Sequence, residues 1–156
     1  MNTHSKISQQ LQKLGIELPI AGAPAAAYVM ANQIDHIVYL SGHIAKQNGA
    51  VWIGKLGQNM STTNGRLAAR SVAIDLIASL QSHLGNLDRV KKIIKVTSLV
   101  NSTAEYTEHH LVTNGCSELL VEVFGDLGKH ARSAFGVAQL PLGACVEIEM
   151  IVEVSD

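Results

Sequence analysis

The amino-acid sequence predicts an α+β architecture with two helices layered over one sheet. Three observations lead there. Ser61–Leu84 and Thr107–Phe124 carry apolar residues at helical spacing, and Cys145–Val154 alternates apolar with mostly acidic residues. The order along the chain is strands, helix, strand, helix, two strands, the pattern of an α+β layer fold. No internal repeat, low-complexity run or linker interrupts it, so a single domain over residues 1–156 is expected.

Ser5–Leu14 sets Ile7, Leu11 and Leu14 on one helical stripe, so a short amphipathic helix is expected in an N-terminal extension, residues 1–17. Pro19, Gly22 and Pro24 end it. Ala26–Ala31 and His36–Gly42 read as two strands joined by a turn over Asn32–Asp35, with Val51–Ile53 a third, shorter strand. In Ser61–Leu84, Ser61 can cap the start, Leu67, Ile74, Ile77, Leu80 and Leu84 form the stripe, and Gly85 stops the helix. Ala68, Ala69, Ala73 and Ala78 let it approach a sheet closely.

Val90–Val100 is a strand, and its basic residues Arg89, Lys91, Lys92 and Lys95 read as a solvated strand edge. Thr107–Phe124 is a helix weakened in its middle by Asn114-Gly115, and Gly125–Lys129 closes it. Ser133–Leu140 is a strand that turns at Pro141–Gly143 into Cys145–Val154. There Val146, Ile148, Met150, Val152 and Val154 share one face, and Glu147, Glu149, Ile151 and Glu153 share the other.

Composition narrows the function. Hydrophobic residues make up 47 % and charged residues 16 %, against about a quarter charged in an ordinary domain. So little charge favours a surface covered by another subunit. A net charge of −1 and 4 % aromatic residues supply neither the field nor the stacking platforms that nucleic acid needs. No apolar run is long enough to span a membrane, and the polar N-terminus has no signal-peptide core, so a cytoplasmic protein is expected.

Metal or cofactor chemistry is not expected. His109 and His110 point about 100° apart on a helix, and neither Cys116 nor Cys145 is spaced with a histidine as zinc requires. The two cysteines read as buried thiols. Arg132 stands out. It opens a strand among the small residues Ala131, Ser133 and Ala134, leaving room for its planar guanidinium to meet a ligand carboxylate with two parallel bonds. The competing reading is an arginine paired with a nearby glutamate.

The segment Arg132-Ser133-Ala134-Phe135-Gly136-Val137-Ala138-Gln139-Leu140-Pro141, with Glu147 in Val146-Glu147-Ile148, resembles the C-terminal signature of the reactive-intermediate deaminase (Rid, or YjgF) family. Ala23-Pro24 with Tyr28, and Ser41-Gly42-His43-Ile44, resemble two further family segments, so the similarity spans residues 18–154. The resemblance implies a chorismate-mutase-like fold with a mixed sheet, and a homotrimer with clefts between subunits. It implies cofactor-free hydrolysis of enamines and imines such as 2-aminoacrylate to 2-keto acids and ammonia. Arg132 would bind the substrate carboxylate and Glu147 would activate water. Tyr28 would line the cleft, and backbone groups of Ser41, Gly42 and Ala134 would hold polar atoms. A carboxylate-binding regulatory trimer is the alternative, and an endoribonuclease a more distant one. His43 and His130 depart from the family pattern, and are read as groups at the cleft rim rather than as acid/base residues.

Overall fold

The computed structural model describes residues 5–156; the first four residues of the expected N-terminal extension lie outside that range. Helix α1, Lys6–Lys13, is capped at Ser5 and buries Leu11. Its free N-terminus is held from far along the chain: the Asp88 carboxylate accepts from Ser5 Oγ and from the backbone N–H groups of Lys6 and Ile7, at 2.8–2.9 Å. An anion at that end satisfies otherwise orphaned donors and complements the helix dipole.

The strands are β1 (Ala31–Ile34), β2 (Ile37–Ile44), β3 (Lys46–Gln47), β4 (Ala50–Val51), β5 (Val90–Asn101), β6 (Ala131–Val137) and β7 (Val146–Val154). Five of them form one mixed sheet, in the order β1-β2-β7-β5-β6, with β5 and β6 parallel and the other neighbours antiparallel. Helices α2 (Thr62–Leu84) and α3 (His109–Phe124) pack against each other and against the sheet. The α+β class and its helix layer are therefore as expected. Val146, Ile148, Met150, Val152 and Val154 are buried, while Glu147, Glu149, Ile151 and Glu153 lie on the uncovered face.

Several local expectations need correction. Residues 26–30 are not a strand. The first strand begins at Ala31 and runs through the expected turn, and the reversal falls at Asp35–His36, with Asp35 at φ 48°. The apolar stretch before Ala31 drew the boundary forward, whereas β1 is an exposed edge strand that no core pattern marks. Val51–Ile53 is only partly strand; Ile53 instead makes an isolated bridge to Ala144. The strand expected at Ser133–Leu140 begins at Ala131 and ends at Val137, because Leu140 leads into the turn at Pro141–Gly143.

The basic strand is central only in part. β5 lies between β7 and β6, but β6 pairs with it from Lys95 onward, so Lys91 and Lys92 sit exposed on a stretch with β7 as its one strand neighbour, as a solvated edge, and Lys95 Nζ donates to Ser133 Oγ at 2.9 Å. Arg89 instead donates to the carbonyls of Leu84 and Ser155. In α2, Leu67 is exposed; the buried stripe is built from Ala68, Ala69, Val72, Ala73, Leu76, Ile77 and Leu80. The four alanines do face inward, as their small size predicts.

Both cysteines are buried and unpaired. Burial pushes the Cys116 thiol up to about 12 and the Cys145 thiol up to about 11. Thiols held that far from ionisation are poor nucleophiles.

Candidate functional site

Arg132 lies on β6 in parallel register with the fully buried Val96, so its side chain projects to the helix-covered face. There α3 receives it. Nη1 donates to Asn114 Oδ1 at 2.9 Å and to Ser117 Oγ at 3.2 Å, and Nη2 donates to the His110 carbonyl at 3.2 Å. His110, Asn114 and Ser117 stand four and three residues apart, which places them on one side of the helix. Among the described residues Arg132 has no ion-pair partner. The reading of Arg132 as a scaffold arginine paired with a glutamate is therefore not what the fold contains.

His130 supports the same cluster. Its Nδ1–H donates to the Gly128 carbonyl at 2.6 Å, leaving Nε2, 2.9 Å from Ser117 Oγ, to accept that hydroxyl's proton. Ser117 thus stands between the imidazole and the guanidinium. His43 is wired in the same way on β2: Nδ1–H donates to the Ser41 carbonyl at 2.6 Å, and Nε2 lies 2.7 Å from Ser79 Oγ on α2. His43 is buried and His130 partly so. Each imidazole ties a strand or turn carbonyl to a helix serine.

The other expected site residues gather elsewhere. Ser41 Oγ donates to the Val29 carbonyl at 2.6 Å, and the Tyr28 hydroxyl accepts weakly from the Ala25 N–H at 3.4 Å. Glu147 projects from β7 over Gly42: a Cβ at Gly42 would overlap the Glu147 carboxylate. Only glycine leaves that space. Glu147 is half-buried, aligned with Ile44 and Leu99 on the neighbouring strands. Burial raises its pKa above the ordinary 4.5, and the nearby Glu149 adds to the effect.

Tyr28, Ser41, Gly42 and Glu147 therefore form one group near β2 and β7. Arg132 and Ala134 form another on the edge strand β6. Ala134, in register with the buried Ser98, shares the helix-covered face with Arg132, whereas Glu147 lies on the uncovered face. β5 also intervenes between β7 and β6, a lateral separation of about 10 Å at ordinary strand spacing. One protomer cannot bring both groups onto one small ligand. Asn114, Ser117 and the His110 carbonyl were not anticipated, although their spacing of four and three was open to reading. Among the described residues no cluster of three or more His, Cys, Asp or Glu side chains has metal-binding geometry.

The neutral imidazoles carry a pH signature. Burial lowers the pKa of His43, His109 and His130 below the ordinary 6.5, despite backbone bonds to His43 and His130 that act the other way. The unfolded chain then binds protons first, so the stability these rings contribute is full above pH about 6.5 and is lost as pH falls toward their folded-state values. Glu147 and Asp75, both raised chiefly by burial, act in the opposite sense at lower pH, where protonation favours the fold. The urea midpoint is expected to fall between about pH 7.5 and 5.5. A flat midpoint across that window would contradict the neutral-ring assignment.

Comparison with known proteins agrees with this fold. Residues 8–154 match the family described as "YjgF/chorismate_mutase-like, putative endoribonuclease". The chain belongs to this Rid/YjgF family. It is 42 % identical over 153 residues to Protein TCP17 of Trypanosoma cruzi, covering 97 % of this chain and 96 % of that one. The structure of Atu1372 from Agrobacterium tumefaciens, described as having unknown function, superposes with a TM-score of 0.88 at 36 % identity, covering 96 % and 92 % of the two chains. A "putative endoribonuclease" from Shewanella oneidensis MR-1 superposes with a TM-score of 0.91 at 27 % identity, covering 95 % and 99 %.

Proposed function

We propose that the protein is a cofactor-free enamine/imine deaminase of the cytoplasm, acting as a homotrimer whose sites are shared between subunits. The observation that carries this reading is the guanidinium of Arg132, held by three neutral acceptors with no carboxylate of its own. Such a group is oriented yet electrostatically unsatisfied, and a substrate carboxylate supplies the missing charge. Enamines reach the reactive form by tautomerising to the imine. Water oxygen then bonds to the imine carbon, and Glu147 takes the water proton. That proton passes to nitrogen to give a carbinolamine, whose hydroxyl then gives its own proton to nitrogen by way of Glu147 as the carbon–nitrogen bond breaks, leaving a 2-keto acid and ammonia. An imine carbon is already electrophilic, so positioning and one base suffice.

The faces of the sheet give the shared site its logic. Arg132 projects toward the helices and Glu147 away from them, so a site using both takes them from different protomers. The uncovered face carries partly exposed Tyr39 and Phe135 beside its charges, a mixture suited to burial against another copy. The same separation also favours the second reading, a regulatory trimer that binds carboxylates at Arg132 and leaves Glu147 unused. RNA cleavage has less support, because a net charge of −1 offers little phosphate neutralisation.

Mixing two inactive variants separates the readings. Arg132→Ala and Glu147→Gln chains, unfolded together and reassembled, would regenerate some sites having both native groups, and 2-aminoacrylate hydrolysis is expected to return. No recovery in mixed trimers confirmed by mass would reject the shared site. A monomer in solution would reject the assembly.

A further inference from the structure

Where the parallel strands β5 and β6 end, residues that follow them and the start of α3 line a cavity of about 540 Å³, within the range of small-ligand sites. Its polar wall is Lys55, Ser102, Tyr106 and His109, and Gly136 lies at the β6 side. Ser102 is buried apart from this opening. Its Oγ lies 3.0 Å from His109 Nε2. The two meet over Gly136, where an added Cβ would stand 2.4 Å from Ser102 Oγ and 2.6 Å from His109 Nε2. Any side chain at that position would push the pair apart.

A serine hydroxyl becomes a nucleophile when a neutral imidazole accepts its proton and a third group holds the ring. Tyr106 holds it here. Its ring meets that of His109 edge to face, with centroids 5.2 Å apart and planes at 89°, and its hydroxyl is tied to Thr62 Oγ1 at 2.8 Å. Burial, helped by the neighbouring His110, lowers the His109 pKa below 6.5, so the ring is neutral near pH 7. Lys55 supplies the one formal charge in the wall. Its ammonium donates to Asn101 Oδ1 at 2.8 Å and to the Ala138 carbonyl at 2.6 Å, two neutral acceptors. It has no ion-pair partner among the described residues, and one of its three donors is left over. Glu108, next to His109 in the chain, is engaged by Thr62 Oγ1 and does not line the cavity.

We propose that Ser102 and His109 are the nucleophile and base of a second activity, the hydrolysis of short carboxylic esters that carry a further ionised carboxylate, which Lys55 holds. Ser102 Oγ bonds to the acyl carbon as its proton moves to His109 Nε2. The bond from that carbon to the alcohol oxygen breaks, and the proton leaves with the alcohol. Water then bonds to the acyl carbon and gives a proton to Nε2, which passes it to Ser102 Oγ as the acyl–serine bond breaks, releasing the acid. The proposal goes beyond the deaminase reading and does not rest on it, since no residue assigned to that site lines the cavity.

Nitrophenolate release by the full chain tests it with two esters of equal acyl length, mono-p-nitrophenyl glutarate, which is anionic, and p-nitrophenyl valerate, which is not. Wild type is expected to hydrolyse the glutarate ester with a kcat/KM about tenfold above that of the valerate ester, and Lys55→Met should bring the two to equal values. Ser102→Ala, His109→Gln and Gly136→Ala should each lower kcat/KM for the glutarate ester at least about a hundredfold, with circular dichroism unchanged. Diisopropyl fluorophosphate, which leaves a stable serine adduct, should label wild type at Ser102, as read by peptide mass, and should fail to label His109→Gln. The proposal is overturned if Ser102→Ala keeps the wild-type rate, if His109→Gln is labelled at the wild-type rate, or if wild type does not prefer the anionic ester. Should the variants not fold, wild type that carries no adduct on Ser102 would overturn it on its own.

Discussion

Arg132→Ala is expected to lose 2-keto acid binding while keeping its fold. Truncating one partner of a desolvated charge pair costs about 2–5 kcal/mol of affinity, so titration should show binding weakened by more than an order of magnitude. The melting temperature should move little. The three groups left behind, Asn114 Oδ1, Ser117 Oγ and the His110 carbonyl, are neutral, and water entering the vacated space can satisfy them. Arg132→Lys should fall between, because an ammonium retains attraction but cannot present two parallel donors. Melting that collapses while affinity holds would make Arg132 a structural residue and withdraw the main support for the proposed function.

Glu147→Gln should strike turnover rather than binding. Losing a general base costs roughly 10²-fold or more, whereas a bound 2-keto acid still meets Arg132. Burial has raised the Glu147 pKa above its ordinary 4.5, which makes the carboxylate a stronger base when ionised. The wild-type rate should therefore fall on the acid side with a midpoint above that value, and the variant should lack that limb. An unchanged rate in the variant would favour the regulatory reading.

The elements that carry a strong period were legible from the residues alone. Helix α2, with Ser61 and Gly85 at its ends, and β7, with its two unlike faces, are written in local spacing that tertiary contacts reinforce. β1 was not, because an exposed edge strand buries almost nothing and leaves no alternation. The basic residues of β5 were legible in part: Lys91 and Lys92 mark the stretch that β6 does not reach, whereas charge alone does not show that the strand becomes central from Lys95 onward. At the site, Arg132 was visible through its small neighbours and its family signature. Its partners on α3 were obscured because Asn114-Gly115 reads as a turn signal, and the roles of His43 and His130 depend on helix serines 36 and 13 residues away.

The supposed weak point of α3 is in fact its tightest joint. A Cβ at Gly115 would overlap the backbone carbonyl of Arg66 on α2, so the two helices meet there backbone to backbone. Any larger residue must drive α3 away from α2, and His110, Asn114 and Ser117 travel with it. The thickness of this seam thus calibrates where the guanidinium of Arg132 comes to rest. In a mutational screen Gly115 would score as a ligand-binding residue although it has no side chain with which to touch a ligand, a case of recognition tuned by bulk on the far side of a helix.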